Sequence, residues 1–277
     1  MRILSLGPRR VPARGGVITI TTRLAVLAAL LAAAPDPTLA AGELTGRDVI
    51  ARMQQARALG GDDAMKVLRV TLIDRDGGER SQTVATYQKL CGDASRNLIL
   101  FRDPPDVAGA ALLTWARRDG SADMWLYLPE VGRIRQMNPA ARGESFMGSD
   151  LTYEDVSGYP LDVRMHRLLG DEEIDGRLAY KVESIPTAEG PYGRVLTWVD
   201  RQTFLPVRIK YYEPAGTHLK TGRFGDVRRV KDVPTLFSLE MHNVQTGHRT
   251  RVVLLDADYQ HGLACERLTR RYLTRGP

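Results

Sequence analysis

Aromatic residues make up only 6% of this 277-residue chain, and it has just two cysteines and five histidines. The longest apolar run, residues 24–34, falls short of the roughly twenty residues that span a bilayer. The motifs of several large enzyme classes are missing. There is no G-x-S-x-G elbow, no H-E-x-x-H helix and no phosphate-cradling G-x-x-x-x-G-K loop. His166, His218, His242, His248 and His261 show no ligand spacing, and neither cysteine has a Cys or His at zinc-ligand distance along the chain. His242 and His248 flank a turn and read as a solvated pair. These absences exclude the recognisable hydrolases, zincins and nucleotide-binding loops, and no cofactor is implied.

What is present starts with a leader. Arg2, Arg9, Arg10, Arg14 and Arg23 precede the apolar run, and small residues around Ala40 and Ala41 follow it. A basic segment, a short apolar core and a small-residue site together read as a secretory signal peptide over residues 1–41, cleaved near Ala40 or Ala41; a retained anchor is the alternative. The formal net charge is +6, and five arginines against Asp36 place +4 of it in that leader. Residues 42–277 carry the remaining +2, too little for the basic stripe that nucleic-acid binding requires. An exported chain meets oxidising conditions, so Cys91 and Cys265 read as one disulfide, with two buried thiols as the alternative.

Residues 43–58 read as a helix, with Thr45 as N-cap, Asp48 closing a weak capping box and Gly60-Gly61 as its stop. From Met65 onward the hydrophobic period is two. Strands are expected over 67–73, 82–90, 97–101, 109–115, 179–185, 195–200, 204–212, 217–230, 236–244 and 250–255, with 268–273 closing the series. Residues 162–169 read equally as helix or strand. Asp-Gly and Gly turns punctuate the series, and no linker divides residues 42–277, which read as one domain. The fold class is α+β, mainly β: a large antiparallel sheet that must close or cover its face. Acidic pairs such as Asp62-Asp63 and Glu154-Asp155 lie in polar, turn-like segments and read as solvated charge.

The most informative stretch is residues 123–155. It opens as a strand carrying Met124, Leu126 and Leu128 on one face and Trp125 and Tyr127 on the other, then reverses at Gly132. A polar, Gly-rich loop follows that nevertheless holds Phe146 and Met147. Trp125, Tyr127, Phe146, Met147 and Tyr153, together with Trp115, form the main aromatic and sulfur cluster, and the first five are candidates for the wall or lid of an apolar cavity. Gly143 and Gly148 are candidate hinges. A loop that merely plugs the core is the alternative.

The runs WLYLPEVGRIRQM and SFMGSDLTYEDV, with FRDPPDVAGAALL, MHNVQTGHRT and LTRRYL, resemble the LolA-like outer-membrane lipoprotein-sorting proteins. Within these, they resemble the branch found beside RND/MMPL-type exporters. The resemblance covers residues 101–273 in order. It implies a LolA/LolB-like unclosed antiparallel β-barrel with helices and loops covering a lipid cavity. It further implies a periplasmic, non-enzymatic carrier of lipid or lipoprotein acyl chains. Such a carrier works between an RND/MMPL-type inner-membrane transporter and the outer membrane, with transient membrane contact. The cysteine pair departs from the common pattern, and the exposed-Leu insertion loop and lipid anchor of LolB are not identifiable. Periplasmic regulators of envelope-stress signalling use the same half-barrel and supply the alternative function.

Overall fold

One helix sets the frame. In the computed structural model, which describes residues 44–58, 63–117 and 121–275, α1 runs over Gly46–Ala58. Thr45 and Asp48 cap it reciprocally: the Thr45 N–H and hydroxyl donate to the Asp48 carboxylate at 3.0 and 2.6 Å, and the Asp48 N–H returns to the Thr45 hydroxyl at 3.2 Å. Val49, Ile50 and Met53 then fall on one buried face. The leader read in residues 1–41 and the glycine stop at 60–61 lie outside the described residues.

Thirteen strands follow: β1 Asp63–Ile73, β2 Glu79–Cys91, β3 Ala94–Asp103, β4 Ala111–Arg117, β5 Ala122–Leu128, β6 Arg133–Gln136, β7 Arg164–Ile174, β8 Arg177–Pro186, β9 Arg194–Asp200, β10 Pro206–Tyr212, β11 His218–Val230, β12 Val233–Asn243 and β13 Arg249–Tyr259. Every expected strand up to residue 255 is found, and most are longer than their hydrophobic pattern indicated. The ambiguous 162–169 resolves into a 3-10 turn at Leu161–Val163 and then β7. All thirteen join one antiparallel sheet in the order β6-β5-β4-β3-β2-β1-β13-β12-β11-β10-β9-β8-β7. The sheet does not close. Its edges, β6 and β7, are adjacent in sequence and at opposite ends in space, which makes the fold an unclosed barrel. The β6 edge is four residues long and wholly exposed, with Arg133 and Arg135 upon it, a short charged edge that discourages pairing with another chain.

Each face of the sheet has its own cover. On the outer face, Leu263, Leu268 and Leu273 pack onto Ala85, Tyr87, Leu98, Leu113 and Trp125. Residues 268–273 are therefore not the closing strand. The segment forms 3-10 turns at Cys265–Arg267 and Arg270–Tyr272 and lies across the sheet. The Trp115 indole donates to the Leu268 carbonyl at 3.0 Å, so that carbonyl is satisfied without a ladder. A disulfide joins Cys91 at the end of β2 to Cys265 in this segment, with Cα atoms 5.9 Å apart. Elsewhere α1 covers β7 and β8, burying Val49, Ile50 and Met53 against Val182 and Val199. A Cβ on Gly46 would stand 2.6 Å from the β7 backbone, so only glycine admits this approach.

Candidate functional site: an inner cavity under a crossing segment

Because β6 and β7 are the two edges, residues 137–163 must travel from one side of the sheet to the other. They do so over the inner face, held by a buried polar network. The Asp150 carboxylate accepts from Thr250 at 2.8 Å and lies 2.7 Å from His248 Nδ1, and the Asp150 N–H donates to Thr250 at 2.8 Å. Thr152 caps the short helix α2, Tyr153–Ser157, in a box with Asp155. The Asp155 carboxylate also accepts from Lys220 Nζ at 2.6 Å and from the Tyr192 hydroxyl at 2.9 Å. Lys220 donates in addition to the Asp150 carbonyl at 2.7 Å and lies 5.2 and 5.1 Å from the Tyr192 and Tyr211 ring centres. The Lys220 and Asp155 side chains are 3% and 6% exposed, so this is a desolvated ion pair. Burial, then the Asp155 charge, pushes the Tyr192 hydroxyl far above the ordinary phenol value, and it remains a neutral donor.

Two readings are corrected here. Asp155 is not solvated loop charge, and its neighbour Glu154 pairs with the buried Arg164, whose guanidinium stacks 3.7 Å from the Tyr159 ring centre. Asp63 likewise is buried. Desolvation raises its pKa, but the Leu263 N–H, Lys89 and the His261 N–H outweigh that and hold the carboxyl below its usual range. His248 is not paired with His242 in solvent; it grips Asp150. The SFMGSD and QTGHRT runs are distant in sequence and meet at this contact.

Beneath the crossing segment lies a cavity of about 270 Å³. That is near the lower end of the roughly 300–1,000 Å³ range of small-molecule sites. Leu68, Val70, Val84, Ile99, Phe101, Leu239 and Val252 form the sheet side, and Phe146, Met147, Leu151 and Val156 form the roof. A second, larger groove of about 510 Å³ lies on the far side of α2, bordered by Arg142, Glu154, Tyr159, Arg164 and Tyr192. Its charged, mutually paired rim makes it the poorer place for an apolar chain.

The five expected cavity residues divide between the two faces. Phe146, Met147 and Tyr153 belong to the inner cluster. The Phe146 ring lies 5.7 Å from Phe101 and 5.4 Å from Tyr153, edge-on to the latter. Burial, then Glu144, raises the Tyr153 hydroxyl above its ordinary value. Trp125 and Tyr127 face the other way, into the outer cluster beneath the C-terminal segment, and Trp125 meets Trp115 at 5.1 Å. On the opposite face of β5, Met124 and Leu128 pack into the inner cluster. Gly148, at φ +76°, does require a glycine, and Met147 beside it is held at φ +50°, a strained backbone for a side-chain-bearing residue. Gly143 is different: it has no positive φ, and a Cβ there would press on Pro191 at 3.0 Å, so it permits a close approach. Lys220 left no trace in the sequence reading. Its only signal is a lysine at an inward position of a strand, which becomes legible once the register is known.

Among the described residues, no helix is long and apolar enough to cross a membrane. No curated protein matches the chain. Three solved structures are similar. A domain from Vibrio parahaemolyticus proposed to sort outer-membrane lipoproteins is 26% identical, with a TM-score of 0.78 over 83% of this chain and 98% of its own. A DUF1329 family protein from Desulfovibrio piger is 28% identical, with a TM-score of 0.77 over 82% and 97%. A LolA superfamily protein from Nitrosomonas europaea shares the fold at 18% identity, with a TM-score of 0.68 over 83% and 100%. A family model described as "-like: Uncharacterized protein" matches residues 93–275. The chain belongs to that family, and its fold is that of the LolA-like, unclosed-barrel structures to which it is similar.

Proposed function

We propose that the protein is a periplasmic, non-enzymatic carrier that shields the acyl chains of a lipid or lipid-modified protein. It would receive its cargo from an RND/MMPL-type inner-membrane transporter, release it toward the outer membrane, and touch each membrane only transiently. The observation that carries this reading is the state of Leu68 and Val70. They lie mid-strand on β1, the centre of the sheet, yet are only half-buried, because they face the cavity instead of a packed core. Each methylene moved from water onto such a surface contributes about 0.8 kcal/mol. Release then requires a partner that favours a state with the crossing segment raised.

The carboxylates on the inner face support a binding role over a catalytic one. Asp155 already accepts from Thr152, Tyr192 and Lys220, and its charge is committed to holding α2. The test is native mass spectrometry and solvent extraction of the purified protein. A bound lipid, or saturable uptake of a fatty acyl probe, is the expected result. A lipid-free protein that takes up no such probe would sink the carrier.

A further inference from the structure

The buried polar side chains of the cavity differ in whether they are already used. Among the described residues, Gln82, Ser149 and Asp155 are the ones that line it. The Ser149 hydroxyl donates to the Phe146 carbonyl at 2.6 Å and accepts from the Leu151 N–H at 3.2 Å. Asp155 is matched by Thr152, Tyr192 and Lys220. Gln82 is different. It stands on the inward face of β2, opposite Val70 on β1, and is only 6% exposed. Among the described residues, no donor or acceptor meets its carboxamide. Nor is the amide sealed in. Trp125 Nε1 and Arg164 Nη1 are unpartnered and closed off by protein, whereas the Gln82 amide is open to the cavity. A buried carboxamide has given up water, and plain hydrocarbon beside it would leave that loss uncompensated. Its oxygen accepts and its nitrogen donates, so it suits a neutral group that does both, a hydroxyl.

The rest of the wall fixes where that group sits on the cargo. Leu72, the next inward residue of β1 after Val70, is 3% exposed and packs under Gly148, which closes the Gln82 end. At the other end Gln88 is exposed, and Thr86 and Asn97 near it are half-buried. Between the two ends the wall is apolar, with Leu68, Val84, Ile99 and Phe101 on the sheet and Phe146 and Met147 above. From Gln88 to Gln82 the strand runs about 20 Å, at 3.3 Å per residue. The lining is thus polar, apolar and polar again, open to water at one end and roofed at the other.

We propose that the cargo is a long-chain lipid with a polar group at each end, whose buried end is a hydroxyl hydrogen-bonded to Gln82. The chain passes beneath Phe146 and Met147, and its other end stays in water beside Gln88 and Asn97. This assignment rests on the carrier reading and adds the chemistry that the carrier selects.

The experiment uses the purified, delipidated protein with dodecanoate, hexadecanoate and their ω-hydroxy derivatives, each displacing the neutral fluorophore N-phenylnaphthylamine. In a wholly apolar pocket the terminal hydroxyl loses its water and weakens binding by roughly tenfold or more. Wild type is expected to bind one ω-hydroxy acid at least as tightly as its parent acid, and the preferred chain length reports the depth of Gln82. Gln82→Met, similar in length and shape, should weaken that ω-hydroxy acid about tenfold, the scale of one buried hydrogen bond. It should leave the parent acid unchanged, which also shows that the variant is folded. Wild type that binds both ω-hydroxy acids roughly tenfold more weakly than their parents overturns the Gln82 site and leaves the carrier standing. So does Gln82→Met that keeps the wild-type preference, the outcome if Gln82 holds only a water, or that weakens all four acids alike. Failure of all four acids to displace the fluorophore from wild type overturns both.

Discussion

At the scale of single residues, the Asp155–Lys220 pair governs the site. Removing one member of a buried ion pair strands the other, at a cost of about 3–5 kcal/mol, whereas removing both is far milder. Asp155→Asn keeps a side-chain acceptor for the α2 cap but removes the charge that Lys220 faces. Urea denaturation should show a loss of about 3 kcal/mol for this variant. Adding Lys220→Met should recover part of it. A single variant as stable as wild type would show that the pair is solvated after all. His166 supplies a pH effect. Its half-buried ring lies between Ser184 and the Leu161 carbonyl, at 2.8 and 2.9 Å. Burial first, and then the Arg164 and Arg47 charges, hold its pKa below 6.5, outweighing Leu161 and Asp162. The unfolded chain therefore takes up a proton near pH 6.5 that the folded chain refuses. The stability from the neutral ring is complete above that pH and drains away as the pH falls toward the depressed folded value. His218, also lowered mainly by burial, adds in the same direction. Urea midpoints measured from pH 8 to 5 should fall across this window, and His166→Gln should flatten the slope.

At the scale of elements, the strands were legible and their faces were not. Alternation separates Trp125 and Tyr127 from Met124 and Leu128, but a period of two cannot say which set meets the cavity. The aromatic set took the outer face because the C-terminal segment covers it, and residues 263–273 gave no hint of that. Their composition is that of a strand, yet the ladder around them is already full: β1 pairs with β2 and β13, and β13 with β12. The apolar side chains of the segment therefore drop onto the sheet through 3-10 turns, spaced at Leu263, Leu268 and Leu273. The crossing segment was more readable, because a large apolar pair in a polar loop needs something to cover. Its anchors, His248, Thr250 and Lys220, were not, since they come from strands far along the chain. The disulfide tests the C-terminal element. It closes a loop of 174 residues, which by the loop-entropy argument stabilises the fold by about 5 kcal/mol. The double variant Cys91→Ala/Cys265→Ala should lose much of this. In mild urea the emission of Trp115 and Trp125 should shift red before the sheet unfolds, as their cover lifts. A single cooperative transition at the wild-type midpoint would mean that the segment is held by its leucines alone.

At the scale of the whole molecule, the strand order explains why a cavity and its roof come together. Two antiparallel meanders, β1 to β6 and β7 to β13, meet where β1 pairs with β13. That arrangement leaves β6 and β7 as distant edges, so their connection has to bridge the open side. A roof is thus a consequence of the topology, and evolution's freedom lies in how tightly it is fastened. Here it is fastened at one level and loose at another. Phe146 is packed between Phe101 and Tyr153 and behaves as an anchor, whereas Met147 is half-buried, strained in backbone and turned onto the cavity. The two neighbours should therefore fail in different ways. Phe146→Ala should cost about 3–5 kcal/mol, the price of emptying a buried aromatic site, and release the roof with it. Met147→Ala should cost far less stability than Phe146→Ala, because the side chain is only half-buried at the edge of the cluster, while weakening acyl-probe affinity several-fold. Measuring both quantities for both variants separates a roof that touches cargo from one that only fills the core. If Met147→Ala changed neither, the crossing segment would be a plug, and the sheet side of the cavity, with the half-exposed Leu68 and Val70, would be left as its working wall.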